Sequence, residues 1–332
     1  MLLRQFGPKF VILLWPLLFL SACSFQPHYL RMGGDQIDQA FMRERLHDVT
    51  FPLLVATAEW CPFEQEPTYG FLLLNGEESR ILGEGVARRG VIVSYVHPRS
   101  PASSAGLEPG DQLTEVNTQD VMGQAAPDVM LLVRKLTVAR IQPLQVEILR
   151  VGQRRLITMW AVPACQFSVH LIESDLINGI SNGRQVGITT GAVRFFRSND
   201  ELGWVLAHEI AHTVLSHVQS ARLRAMLNAF LGATVGASSV ASASPPQKSL
   251  EAQADYVGSY IMARAGYNLE AIRRVWDRLE RIQSQQNGLG RKMAETHPTN
   301  AERLAAFEGT LKEIEQKRQQ GESLEPSLAV PQ

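Results

Sequence analysis

The 332-residue chain has no surplus of either charge, with 32 Lys and Arg against 33 Asp and Glu, and no basic stretch. Nucleic-acid binding needs clustered cations along the phosphate backbone, so that class is excluded. Only 3 cysteines are present, too few for a disulfide-stapled miniprotein or a cysteine-rich zinc scaffold. The longest apolar run near the N-terminus, Phe10 to Leu20, is about half the ~20 residues that a membrane-spanning helix requires. No internal repeat is evident, so a solenoid or propeller is not expected. What remains is 45% hydrophobic, which excludes disorder throughout and gives length for two modest domains.

Arg4 and Lys9 precede the Phe10 to Leu20 run, the order of a positive region and an apolar region in an export signal. The run ends in Leu20-Ser21-Ala22-Cys23, which resembles a bacterial lipoprotein signal. The resemblance implies lipidation of Cys23 and a membrane anchor. Ser24, in place of an aspartate after the cysteine, implies the outer membrane with the protein facing the periplasm of a Gram-negative bacterium. In that oxidising compartment Cys61 and Cys165 are expected to form a disulfide, two buried free thiols being the alternative.

Residues 43–56 read as a helix or extended arm. Phe71 to Leu74 before Asn75-Gly76 reads as a strand entering a hairpin. Gly90 to Val96 is a strand, Ser100 to Ala105 a short helix with Pro101 at its start, Asp128 to Leu136 a helix, and Leu144 to Val162 a hairpin. The block Ala105-Gly106-Leu107-Glu108-Pro109-Gly110-Asp111 within this run resembles a bacterial PDZ domain. The resemblance implies a groove for an extended peptide between the strand Gly90, Val91, Ile92, Val93 and the helix 128–136. The loop Val86 to Gly90 departs from the usual Gly-x-Gly-Phe carboxylate loop, and a module that packs without binding peptide is the alternative.

Ser198 to Glu201 forms a capping box that opens a helix with Leu202, Leu206 and Ile210 on its apolar stripe. Inside that helix stands His208-Glu209-Ile210-Ala211-His212. A spacing of four places both imidazoles one turn apart on one face, able to grip one zinc ion, with Glu209 beside them as general base for the attacking water. His217 lies too far around the helix to join them and reads as structural. On a second helix beginning near Ser249, Glu251 and Asp255 share a face; Glu251 can complete the ligand set and Asp255 can support an imidazole. The strand 185–191 reads as an edge against which an extended substrate would lie.

His-Glu-Ile-Ala-His, Glu251-Ala-Gln-Ala-Asp255, Ala265-Gly266-Tyr267 and Thr296-His297-Pro298 with Arg303 resemble the M48 family of zinc endopeptidases in order and spacing. The resemblance implies one zinc per chain on His208, His212 and Glu251, Glu209 as base, Asp255 in support, and His297 and Arg303 brought to the active site from a later helix. His297 would either stabilise the developing oxyanion or latch the metal. Unfolded or misassembled envelope proteins are the implied substrates, with a non-proteolytic adaptor or chaperone carrying a structural zinc as the rival. The expected fold is α+β, a PDZ-like β-rich module followed by a mainly α-helical zincin-type metallopeptidase domain with a small edge-stranded sheet. Its divisions are a signal at 1–22, a tether and arm at 23–50, the module at 51–165, the peptidase domain at 166–312 and a disordered tail at 313–332. The small-residue segment 223–243 reads either as a helical hairpin or as a lid or membrane lip.

Overall fold

The computed structural model describes residues 34–61, 65–76, 90–139, 143–183, 185–215, 247–284 and 301–327. The expected signal 1–22, Cys23, His217, the segment 223–243 and His297-Pro298 lie outside the described residues.

Two apolar cores divide the chain. The first belongs to a six-stranded antiparallel sheet: β1 (Phe71–Asn75), β2 (Val91–Val96), β3 (Gln112–Val116), β4 (Gln119–Asp120), β5 (Leu144–Arg150) and β6 (Gln153–Met159). Its order is β1-β2-β3-β5-β6, with β4 paired to β3. Alternation in β5 sends Leu144, Val146 and Ile148 inward, where they meet Val129 and Val133 of helix α3 (Ala126–Val138). A short helix, α2 (Pro101–Ser104), starts with Ser100 as its cap and Pro101 at its first position. Gly106 and Gly110 in the following turns have φ of +85° and +94°, conformations that explain glycine at both places. Between them the Pro-Gly-Asp turn is locked by Asp111, buried, which accepts from the Glu108 amide at 2.9 Å and from Arg150 Nε and Nη2 at 2.6 and 2.7 Å.

The hairpin expected at Asn75-Gly76 is drawn differently. β1 does pair antiparallel with β2, Phe71 opposite Val96 and Asn75 opposite Val91, but the partner begins only after residue 90. Consequently β2 lies inside the sheet, with β1 on one side and β3 on the other, and among the described residues β1 and β6 end it.

The second core is built from parts on both sides of that sheet in sequence. Helix α1 (Gly34–Ala56) contributes Met42, Leu46, Val49 and Leu53, a stripe at alternating spacings of four and three, to a cluster with Trp204, Tyr260 and Phe307. The expected arm at 23–50 is therefore corrected: from Gly34 onward it is a core helix of the peptidase domain. Phe51, Trp60 and Cys165, assigned from sequence to the module, lie at or beyond its border, and the second core claims Trp60 and Cys165. The sheet module is thus an insertion, and the Cys61–Cys165 disulfide, Cα atoms 5.2 Å apart, joins its two ends.

After the insertion come β7 (Ser168–Ile172), β8 (Gly179–Ser181), β9 (Gln185–Thr189), α4 (Thr190–Phe195), α5 (Asn199–Val214), α6 (Gln247–Ala265), α7 (Glu270–Ser284) and α8 (Ala301–Gln320). The small sheet runs β7-β9-β8, parallel then antiparallel. This corrects the expected edge at 185–191: β9 is central, and β8 is the edge beside α5. The expected disordered tail from 313 is corrected as well. α8 continues to Gln320, Ile314 is buried, Glu313 accepts from Tyr256 and Tyr260 at 2.9 and 2.7 Å, and Glu325 accepts from Trp60 Nε1 at 2.8 Å. Among the described residues no helix is long and apolar enough to cross a membrane.

Candidate metal centre

The centre rests on the start of α5. Ser198 Oγ accepts from the Glu201 amide at 3.2 Å, while Glu201 turns back to accept from the Arg197 amide at 2.6 Å. Burial pushes the Glu201 carboxyl up, but the Arg278 fork, at 2.9 and 2.6 Å, and the Arg197 amide outweigh it, so the group stays below its ordinary range. Arg45 of α1 grips the same approach, donating to the carbonyls of Val193, Phe196 and Ser198 at 2.6, 2.8 and 2.9 Å and to Asn199 Oδ1 at 3.1 Å. The approach to the motif helix is thus held by a helix that lies 148 to 154 residues earlier in the chain.

α6 crosses α5 at Gly258, where an added Cβ would stand 3.2 Å from the Ala207 carbonyl and the His208 Cα. Backbone yields less readily than a side-chain tip, so glycine favours this approach. The closeness lets Glu251 and Asp255, one turn apart on α6, reach the imidazoles. α6 then ends at Gly266, φ +80°, and Tyr267 packs over Gly203 while its hydroxyl donates to the Val49 carbonyl at 2.9 Å. That is the work of the Ala-Gly-Tyr motif.

At the crossing, His208 Nε2 lies 3.1 Å from His212 Nε2 and 3.4 Å from Glu251 Oε2, and His212 Nε2 lies 3.4 Å from Glu251 Oε1. Three donor atoms thus meet around one point, and all three residues are buried. His208 Nδ1 is 3.0 Å from Asp255 Oδ1, which keeps the proton on Nδ1 and turns Nε2 inward. Asp255 is held in turn by Arg303 through Nε at 2.7 Å and Nη2 at 2.8 Å. Arg303 Nη1 also lies 3.3 Å from Glu251 Oε2, and the guanidinium stacks 5.0 Å over Trp276. Burial alone would lower the His208 imidazole; the Asp255 and Glu251 carboxylates reverse this and push it up to about 10. His212 is lowered, by burial first. Two facing nitrogens and a carboxylate in a dry site favour a bound cation, and a set of two imidazoles and one carboxylate fits zinc.

Glu209 sits buried on α5, and the edge strand β8 passes over it. A Cβ on Gly179 would meet Glu209 Cγ at 3.2 Å and Val205 Cγ2 at 3.1 Å. Ser181 at the far end of β8 hydrogen-bonds Thr213, which pins the strand along the motif helix. β8 therefore runs along α5 beside Glu209, one residue from His208 and three from His212.

The structure brings Arg303 against the carboxylates of Asp255 and Glu251. It is buried and fully engaged by Asp255, Glu251 and Trp276, so it is a positioning residue. His297 lies outside the described residues. Sequence reasoning missed Arg45, Gly179, Gly258 and Trp276. The two glycines carried the available signal, since glycine inside a helix and at a strand start marks close approach.

The peptide groove also moves. Gly90, Val91, Ile92 and Val93 lead into or lie on the interior strand β2, whose two edges are occupied. The edge beside α3 is β1, and Gly70-Phe71 at its start supplies the Gly-Phe step sought before β2. Gly70 has φ +76°, and a Cβ added there would stand 2.5 Å from Ser100 Cβ and 2.8 Å from Phe51 Cε2.

Residues 145–311 match the profile of peptidase family M48, and residues 92–136 that of the PDZ domain. The first match covers half the chain, and the chain belongs to peptidase family M48. It is 25% identical over 179 residues to the mitochondrial metalloendopeptidase OMA1 of Schizosaccharomyces pombe, a match spanning 50% of this chain and 53% of that one. Among solved structures, the HtrA3 PDZ domain bound to a phage-derived ligand is 17% identical with a TM-score of 0.23, covering 30% of this chain and 89% of that one. The HtrA-type protease AlgW with a decapeptide is 24% identical with a TM-score of 0.22, covering 30% and 29%.

Proposed function

We propose that this chain is a zinc-dependent endopeptidase that cleaves extended segments of unfolded or misassembled envelope proteins, and that its inserted module captures a peptide. The observation that carries the reading is the convergence of His208, His212 and Glu251 around one point, with Glu209 next to His208 on α5 and β8 beside it. Zinc held there supplies a Lewis acid, which lowers the pKa of water and polarises a carbonyl. The chain's residues do the rest. Backbone of an extended substrate adds to the edge of β8 that has no partner strand among the described residues, which sets the scissile bond beside the ligands without reading its side chains. Glu209 takes a proton from the attacking water and returns it to the leaving amine. Asp255 and Arg303 hold His208 and Glu251 in one orientation throughout.

The Leu20-Ser21-Ala22-Cys23 pattern supports a lipid anchor at Cys23 and an outer-membrane site facing the periplasm. Glu209→Gln tests the enzymatic reading: with zinc content unchanged, cleavage of an unfolded protein is expected to fall by about 10²-fold or more. Turnover at the wild-type rate would leave only the rival adaptor with a structural zinc.

A further inference from the structure

A second concave site lies on the module, between the edge strand β1 and helix α3. Its cavity of about 90 Å³ is floored by Phe71, Met130 and Val133 and backed by Tyr69 and Thr137. Water's share of liquid volume is about 30 Å³, so the space holds roughly three waters or one branched aliphatic side chain. Its mouth carries a charge pair. Arg134 Nε, on a half-exposed side chain of α3, lies 2.6 Å from Glu66 Oε1.

That arrangement is unusual in its economy of anchors. Glu66 is fixed at its backbone, where its amide donates to the Ala164 carbonyl at 2.9 Å, next to the bridge between Gln65 and Cys165. Its carboxylate is therefore delivered to Arg134 from the rigid neck of the insertion. Arg134 is the cation among the residues lining the cavity, and it stands at the end where Gly70-Phe71 begins β1, which has no second partner strand among the described residues. A peptide laid on β1 with its last side chain in the cavity brings its own terminal carboxylate to that end. Two carboxylates cannot both hold one guanidinium fork at short distance without repulsion.

Resting on the reading that the module binds peptide, we propose that Glu66 is a built-in competitor for the ligand's carboxylate. Arg134 takes that carboxylate, and Glu66 sets the affinity by occupying Arg134 until the terminus displaces it. The pair is partly solvated, so its effect is a tuning of affinity, not a block.

The test uses the full chain in the Glu209→Gln background, so that probes are not cleaved, and fluorescence polarisation with a labelled hexapeptide ending in valine. The free acid and its C-terminal amide are compared. The acid is expected to bind about tenfold tighter than the amide, and Arg134→Gln to erase that ratio. Glu66→Gln is expected to tighten the acid about threefold and leave the amide unchanged, and to have no effect once Arg134 is Gln. Arg134→Lys, which keeps the charge on an unchanged helix, should retain most of the preference for the acid. If both peptides bind but Glu66→Gln leaves their ratio as it was, the competitor role is wrong and peptide capture stands. If neither peptide binds any variant while the fold melts normally, peptide capture falls and the competitor role with it.

Discussion

Each half of the molecule buries one aspartate in the grip of one arginine, and the two do different things. In the inserted module Asp111 is held by Arg150 and closes a turn. In the peptidase domain Asp255 is held by Arg303 and passes the constraint on to a histidine at the metal centre. The module keeps little other charge inside, and its grip ends on backbone. The peptidase domain sinks His208, Glu209, His212, Glu251, Asp255 and Arg303 into one core. Buried charge is costly unless it is paired. Where a fold needs only a turn, one pair suffices; where six ionisable groups are buried together, the stability they cost is exchanged for chemistry.

Neutralising each aspartate separates the two cases. Asp255→Asn should weaken zinc binding by about 10- to 100-fold, read by competition with a chelating dye, and lower stability by about 3 kcal/mol. Asp111→Asn should lower stability by a similar amount, about 3 kcal/mol, in urea unfolding, and leave zinc affinity where it was. Equal losses of zinc affinity in both variants would dissolve the distinction.

Glu201 gives a smaller effect and a pH signature. Its carboxyl is held below its ordinary value of 4.5, so the stabilisation is fully present above that pH and is lost as pH falls through the depressed value. Glu201→Gln should therefore cost about 2 kcal/mol at neutral pH and progressively less under acid. Urea midpoints from pH 3 to pH 7 would show the wild-type and variant curves converging at the acid end; parallel curves would refute the assignment. Smallest is Gly179→Ala. The added methyl meets a flexible Glu209 side chain, so stability should change by under about 1 kcal/mol while turnover drops a few-fold through a displaced base. An unchanged pH-rate profile at full speed would show that β8 does not constrain Glu209.

The same comparison explains what could be read from sequence. The pairing of His208 with His212 follows from helical spacing, because a metal dictates residue types at fixed intervals, while Glu251 and Asp255 were legible through the motif order that resembles the M48 family. The module's element order was legible from its Pro and Gly punctuation. Pairing across the sheet was not, since Phe71 to Asn75 and Val91 to Val96 are both short apolar runs, and nothing local says which of them has a free edge. β9 was misplaced for the same reason. α1 was obscured by a narrow apolar stripe among polar residues and by Pro52 within it. Arg45 needed the fold, since its partners lie 148 to 154 residues away; Arg303 was named as a site residue, but its pairing with Asp255, 48 residues away, needed the fold too.

The disulfide neck makes the module a cassette. Its two ends meet at Cys61 and Cys165, and the ladder continues just beyond, from Glu66 and Thr68 to Ala164 and Val162. A domain whose ends are neighbours can be lifted out or exchanged without redirecting the chain it interrupts. What would remain is α1 joined directly to β7 across a gap that a few residues can span. The surface laid bare would include Phe51, which now lies 4.6 Å from His97, and Asp48, which holds Tyr95. Chains of this design can trade one recognition module for another while the catalytic core stays as it is.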